Sequence, residues 1–317
     1  MSIVWKGVFP AVTTKFTEND ELDFDAFDKN IEAQLEAGVN GIVIGGSLGE
    51  ASVLTDDEKI ALLEHTVKVV AKRAYVVLNI AEQTTKAALL CAKNAEKYGA
   101  DALMMLPPLR YKADDGETVK YFADVAQSTH LPIMIYNNPF DYKIEVTLDM
   151  FEELAQYKNI QAVKESTRDV SNVTRMINRF GNRFALMTGV DTLALESLFM
   201  GADGWIAGLV DAFPKETVAV YRLAKAERMK EALAIYRWFL PVLELDIHPK
   251  LVQYIKLAES VTGLGTETVR LPRLKITGDE RDRILGIIKH AVEHRPELPA
   301  GSWGVEVEAE VDVTGVS

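Results

Sequence analysis

A closed parallel (β/α)8 barrel of the α/β class, the TIM barrel, with additional helices at its carboxyl end, is the fold this chain predicts. Three observations carry it. Eight short β-branched or apolar runs alternate with longer stretches of helical period. Parallel crossovers are right-handed and covered by their helices, so eight strand-then-helix units in series close on themselves. The 317 residues, 48% hydrophobic and 26% charged, suffice for one large single core. A doubly wound open sheet would carry fewer strands, and nothing divides this chain into two nucleotide-binding halves.

The strand runs are GVFPAVTT from Gly7, GIVIGG from Gly41, YVVLNIA from Tyr75, ALMMLPP from Ala102, PIMIYNN from Pro132, IQAVKES from Ile160, FALMTGV from Phe184 and GWIAGLV from Gly204. Between them, DFDAFDKNIEAQLEAG from Asp23 and TTKAALLCAKNAEKYG from Thr84 read as amphipathic helices. Gly38 and Gly99 stand where a helix end needs a left-handed residue. Thr55 with Glu58 makes a capping box ahead of the helix containing Ala61, Leu62 and Val69. After the eighth unit, ERMKEALAIYRWFLPVLELD, HPKLVQYIKLAESV and DERDRILGIIKHAVEH continue as helices packed on the barrel or on a partner. The expected organisation is a catalytic barrel over 1–226, a helical extension over 227–298 and a tail over 299–317. The tail alternates Val with acids and reads as a short edge strand or a disordered segment without chemistry.

Composition excludes several function classes. With 47 acidic against 35 basic side chains the formal charge is −12, a field that repels phosphate backbones and anionic membrane surfaces. Neither nucleic acid nor membrane is expected as a partner. Cys91 is the single cysteine, which excludes an intramolecular disulfide and a thiolate metal cluster and fits a reducing cytoplasm. The start, MSIVWKGVFPAVTTKF, lacks a signal-peptide pattern, and later apolar runs are interrupted by charge short of a membrane span. A soluble, unprocessed cytoplasmic protein is the expectation. His290 and His294 share a helix face, but no glutamate follows His290, and His65, His130 and His248 fall away from strand ends, so no metal is expected.

Barrel active sites lie at the carboxyl ends of the strands. Ser47 and Glu50 close the second run, Tyr136, Asn137 and Asn138 the fifth, Lys164, Glu165 and Ser166 the sixth, and Thr188 and Asp191 the seventh. Polar residues end any strand, so position alone is a modest signal. Lys164 is the exception, because an ammonium inside an apolar run costs several kcal/mol to bury. It is either paired, with Glu165 or Glu50, or held neutral as an amine nucleophile. Period-two alternation places Ile160, Ala162, Lys164 and Ser166 on one face and Glu165 on the other, so the adjacent acid is a poor partner. Desolvation in the barrel interior would draw the amine from about 10.4 toward roughly 7 to 8. Tyr136 reads either as an ordinary core tyrosine or as a proton shuttle for carbinolamine formation. The glycines of GGSLGE fit no nucleotide-binding pattern, but would let backbone amides and the Ser47 hydroxyl converge on a small carboxylate. A glycosidase built on Glu50 and Asp191 would leave Lys164 unexplained.

In order along the chain, GVFPAVTTKF, GGSLGE, YNNP, VKES, GVD and GWIAGLV resemble the class I, Schiff-base aldolase family of dihydrodipicolinate synthase and N-acetylneuraminate lyase. The resemblance implies that Lys164 forms a Schiff base with a 2-oxo acid and that Tyr136 is the acid/base residue. It further implies a substrate site formed by Gly46, Ser47, Leu48, Asn138, Ser166 and Ile206, no cofactor, and a homotetramer built as a dimer of dimers. Departures accompany it. Ser47 and Leu48 stand where the dihydrodipicolinate branch has a threonine pair, and Asp141 stands near its carboxylate-binding basic residue. LPPLRY offers Pro108, Leu109 and then Tyr111 where that branch has an interdigitating tyrosine. The strings GSLGE, LPPLRY, YNNPFDY, VKESTRD, GWIAGLVDAFP and PKLVQYIKL are more similar to the hydroxyproline-catabolic branch, the Δ1-pyrroline-4-hydroxy-2-carboxylate deaminases. In that reading Asn137, Asn138, Ser166 or Thr167 orients the ring hydroxyl. The alternatives are dihydrodipicolinate synthase or another 2-oxo acid aldolase or dehydratase of the family. A non-catalytic scaffold for a small acid would need neither Lys164 nor Tyr136.

Overall fold

Runs buried on both faces become the strands of a parallel sheet, because such strands carry apolar side chains at every position rather than at every second one. They are β1 Gly7–Pro10, β2 Gly41–Ile44, β3 Tyr75–Ile80, β4 Ala102–Met105, β5 Ile133–Asn137, β6 Ile160–Glu165, β7 Ala185–Thr188 and β8 Gly204–Ala207. All eight expected runs are present. The computed structural model describes residues 3–108 and 111–304. Leu109, and the part of the tail over 305–317, lie outside the described residues.

Every pairing is parallel, in the order β1-β8-β7-β6-β5-β4-β3-β2. The ring closes where the Val12 amide donates to the Val43 carbonyl at 3.0 Å, beside the Ala11–Val43 bridge. This is a (β/α)8 TIM barrel with helices between the strands and further helices after them. The signals that punctuate the sequence act as their chemistry requires. Asp23 caps the helix Phe24–Ala37, which ends on left-handed Gly38 at φ 87°, and Thr55 with Glu58 forms both halves of a capping box.

The carboxyl-terminal region forms the helix Met229–Leu243, a short turn of 3-10 helix over Glu244–Ile247, and the helices Leu251–Thr262 and Gly278–Glu293. Helix Leu251–Thr262 is held across the barrel mouth by buried ions. Lys256 Nζ donates to Glu50 at 2.5 Å and to the Thr268 carbonyl, and Lys15 Nζ lies 2.9 Å from Glu259. Thr13 donates through its hydroxyl to Glu259 and through its amide to Asp211. Arg270 adds ion pairs to Asp20 and Glu58. The start of the tail is ordered against the barrel: the Gly304 amide donates to the Ala37 carbonyl, Arg222 donates to the Gly304 carbonyl, and Ser302 is buried. Among the described residues no helix is long and apolar enough to cross a membrane.

Candidate active site

Lys164 is the last but one residue of β6, and strand register places it beside Tyr136 of β5 on one side and Met187 of β7 on the other. Two residues at the same height on adjacent parallel strands share a face. The Lys164 ammonium therefore lies over the Tyr136 ring, 3.9 Å from its centroid. Both side chains are buried, at 6% and 8% exposure. Neither carboxylate that could have neutralised Lys164 does so. Glu165 accepts from the Thr167 amide at 2.7 Å and from Asn172 at 2.6 Å, and Glu50 belongs to Lys256. Burial lowers the Lys164 pKa, opposed in part by Tyr142, Asp246, Asp191 and Asp141. Burial likewise pushes the Tyr136 phenol up to about 12, so it is a protonated donor at neutral pH.

These groups face a cavity of about 80 Å3 at the carboxyl ends of the strands. Gly46, Ser47, Leu48, Tyr136, Asn138, Lys164 and Ile206 all line it. The Ser47 and Leu48 amides donate to no acceptor among the described residues, which leaves them free for an anion. Gly49 keeps this loop tight, since a Cβ there would meet the Val12 carbonyl at 3.1 Å and the amides of Gly45 and Gly46 at 3.2 Å. A separate cavity of about 50 Å3 between the helices Asp56–Val70 and Thr85–Lys97, beside Cys91, lies apart from Lys164.

Other candidates have different duties. Ser166 lies behind the wall: β6 ends at Glu165, and the buried Ser166 hydroxyl turns toward Gly189 without a partner. Asn137 exchanges two hydrogen bonds with the Val146 backbone, and Thr167 holds Glu165 through its amide. Asn138 donates to the Tyr136 hydroxyl at 3.3 Å and to Asp141 at 2.7 Å, and caps the short helix Pro139–Tyr142. Asp191 is buried, accepting from Trp205, Gly208 and Leu209, and so fixes the turn after β8 rather than opposing Glu50 across a substrate. Thr188 is buried outside the cavity wall. Tyr111 is 54% exposed and does not line the cavity.

Among the described residues, three polar side chains of this cavity escaped the sequence reading. Tyr142, at the end of the helix Pro139–Tyr142, shares a 2.5 Å hydroxyl contact with Ser47 and sets its ring edge-on to Tyr136 at 5.4 Å. Burial raises the Tyr136 pKa, and the Asn138 side chain opposes it, with Tyr142 adding in the same downward direction. Arg168, at φ 63°, lays its guanidinium 3.4 Å from the Phe140 ring centroid at the rim. Asp246 reaches the cavity from the turn Glu244–Ile247, with Ile247 and Leu251 beside it. Tyr142 stood in the quoted string YNNPFDY, but nothing in a pattern of spacing says which way a four-residue helix turns its last side chain.

A desolvated lysine paired with a proton-holding tyrosine, under an amide-lined anion site on a barrel mouth, defines a class I aldolase-type lyase, an enzyme class that works through a Schiff-base lysine. The family is given by comparison: the model of the dihydrodipicolinate synthetase family matches residues 4–291, and this chain belongs to that family. It is 33% identical to the 4-hydroxy-tetrahydrodipicolinate synthase of Exiguobacterium sibiricum, over 86% of this chain and 93% of the relative. It is 30% identical to the enzyme of that name from Bartonella bacilliformis, over 90% and 98%. Among solved structures, a Bacillus anthracis dihydrodipicolinate synthase superposes with a TM-score of 0.87 at 29% identity, covering 90% of this chain and 98% of its own. The chloride-inhibited Acinetobacter baumannii enzyme, complexed with pyruvate, superposes with a TM-score of 0.86 at 26% identity, covering 91% and 99%.

Proposed function

We propose that this enzyme takes a small 2-oxo acid, or the cyclic imine of one, onto Lys164 as a Schiff base. The reading rests on one observation: Lys164 is buried beside Tyr136 with no carboxylate in ion-pair contact among the described residues. Lys164 attacks the carbonyl or imine carbon C2, Tyr136 gives and takes the protons of the addition, and Ser47 with the loop amides holds the C1 carboxylate. Asn138 orients Tyr136. Ile206 and Leu48 supply the apolar wall. The assembly is proposed to be a homotetramer built as a dimer of dimers, acting in the cytoplasm without a cofactor.

Two finer readings compete for the substrate. The names of the relatives favour 4-hydroxy-tetrahydrodipicolinate synthase, which joins pyruvate to aspartate semialdehyde, and none of those cited is named for a pyrroline. Arg168 at the rim is the cation that could receive the second substrate's carboxylate in that reaction. The acids on the wall favour the other reading, deamination of Δ1-pyrroline-4-hydroxy-2-carboxylate. Asp141 would repel a second carboxylate, and Asp141 with Asp246 suits a hydroxyl or amino group. Ring opening by transimination on Lys164, loss of the C4 hydroxyl as water, and hydrolysis of the C5 imine and of the lysine imine give 2-oxoglutarate semialdehyde and ammonia. One water is lost and two are consumed.

The test is a panel. Pyruvate with aspartate semialdehyde, and the pyrroline alone, are assayed for condensation product, ammonia and aldehyde. In parallel, borohydride is added with pyruvate across a range of pH and the peptide carrying Lys164 is weighed. The adduct is expected on Lys164, with an apparent pKa for its formation below the usual lysine value, as burial requires. No adduct sinks the Schiff-base reading; condensation without ammonia selects the synthase.

A further inference from the structure

We propose that Asp246, delivered from outside the barrel, is the catalytic acid that protonates the departing group of the substrate; this rests on the deaminase reading above. The barrel strands supply an amine, a phenol and an amide-lined loop. Elimination needs one more group, because a hydroxide cannot leave C4 without a proton. Asp246 is placed for it. The turn Glu244–Ile247 follows the long helix Met229–Leu243 and drops its third residue onto the cavity wall. There the Asp246 carboxylate packs over the end of β8: its Oδ1 lies 2.5 Å from the point that a Cβ on Gly208 would occupy, so only glycine at 208 admits it. Asp191 is not available for this duty, since its own carboxylate accepts from Trp205, Gly208 and Leu209.

The charges facing Asp246 come from every wall. Lys164 faces it from β6, Asp191 from the turn after β7 and Asp141 from the helix Pro139–Tyr142. Burial and the neighbouring Asp191 hold its carboxyl well above the ordinary carboxylate range, with Lys164 opposing, which favours a carboxyl that still carries its proton. By surface area the residue is only half-buried, which is what an acid at the mouth of a cavity requires.

In the step assigned to it, the ring has already opened and C2 carries the lysine nitrogen. Transfer of a C3 proton to the C5 amine freed by ring opening gives the enamine. The nitrogen lone pair then re-forms the C2 iminium, the former C2–C3 double bond moves to C3–C4, and the C4–O bond breaks with its electron pair on oxygen. The Asp246 proton joins that oxygen and water leaves. The carboxylate that remains recovers a proton from solvent at the half-open mouth.

The experiment compares the wild type with Asp246→Asn and Asp246→Glu. Ammonia release from the pyrroline is expected to fall about 100-fold or more in kcat for D246N, in the range typical of a lost general acid. The borohydride adduct of pyruvate on Lys164 should persist undiminished, D246E should recover part of the rate, and the fall of the wild-type rate at alkaline pH should vanish in D246N. Turnover by D246N within about threefold of an active wild type, with an unchanged pH profile, overturns the role of Asp246 alone. Loss of the pyruvate adduct in D246N overturns it as well, because the residue is then needed to assemble the site. A wild type that forms the adduct but releases no ammonia overturns the substrate reading, and the leaving-group role with it.

Discussion

At the scale of single residues, the Ser47 and Tyr142 hydroxyls touch and the Tyr142 ring stands edge-on to Tyr136, a row of hydroxyl-bearing groups that we read as a path from the GGSLGE loop toward Lys164. Removing the middle hydroxyl should interrupt proton movement without emptying the site. Tyr142→Phe is therefore expected to lower kcat about 10- to 100-fold while leaving KM near its wild-type value and the Lys164 adduct intact, in steady-state assays paired with mass measurement. An unchanged kcat would show that the path carries no proton. Lys164 was legible from sequence because a charged group inside an apolar run is costly and needs a reason, whereas Tyr136, an ordinary core residue by pattern, was singled out by the resemblance. Tyr142 and Asp246 were not, because a helix or turn at the rim presents a side chain whose direction depends on caps and packing. Asn138 sets that direction for Tyr142, through the cap it makes on the helix Pro139–Tyr142. Glu50 and Asp191 mislead in the opposite sense: they close strands, yet their carboxylates are spent on Lys256 and on backbone amides.

At the scale of elements, the barrel strands were legible one by one, since parallel strands buried on both faces leave uninterrupted β-branched runs. The helix Leu251–Thr262 was also legible as a helix, but its duty was not. Its lysine at position 256 is fully buried against Glu50, and burial draws its pKa down to about 8 despite that partner. Deleting the cation leaves the buried Glu50 carboxylate with only the Arg273 guanidinium at 3.6 Å and the Arg270 amide at 3.2 Å. Lys256→Met is expected to destabilise the fold by about 3–5 kcal/mol in denaturant unfolding, and adding Glu50→Gln should restore much of the loss. Additive losses in the double variant would mean that the pair contributes nothing as a pair.

At the scale of the whole molecule, the net charge of −12 keeps the protein away from polyanions but does not set its assembly. The proposed homotetramer rests on the resemblance alone. Light scattering on the purified protein should give four times the chain mass of 35.2 kDa, and a stable monomer would refute the proposed assembly. Lys164 and Tyr136 are neighbours because two strands pair, whereas Tyr142, Arg168 and Asp246 arrive on three separate connections. The nucleophile is thus inherited with the architecture, and the choice of guest is written on parts that can be exchanged one at a time. A change of guest can therefore be confined to three connections, while the two paired strands and the amine between them stay as they are.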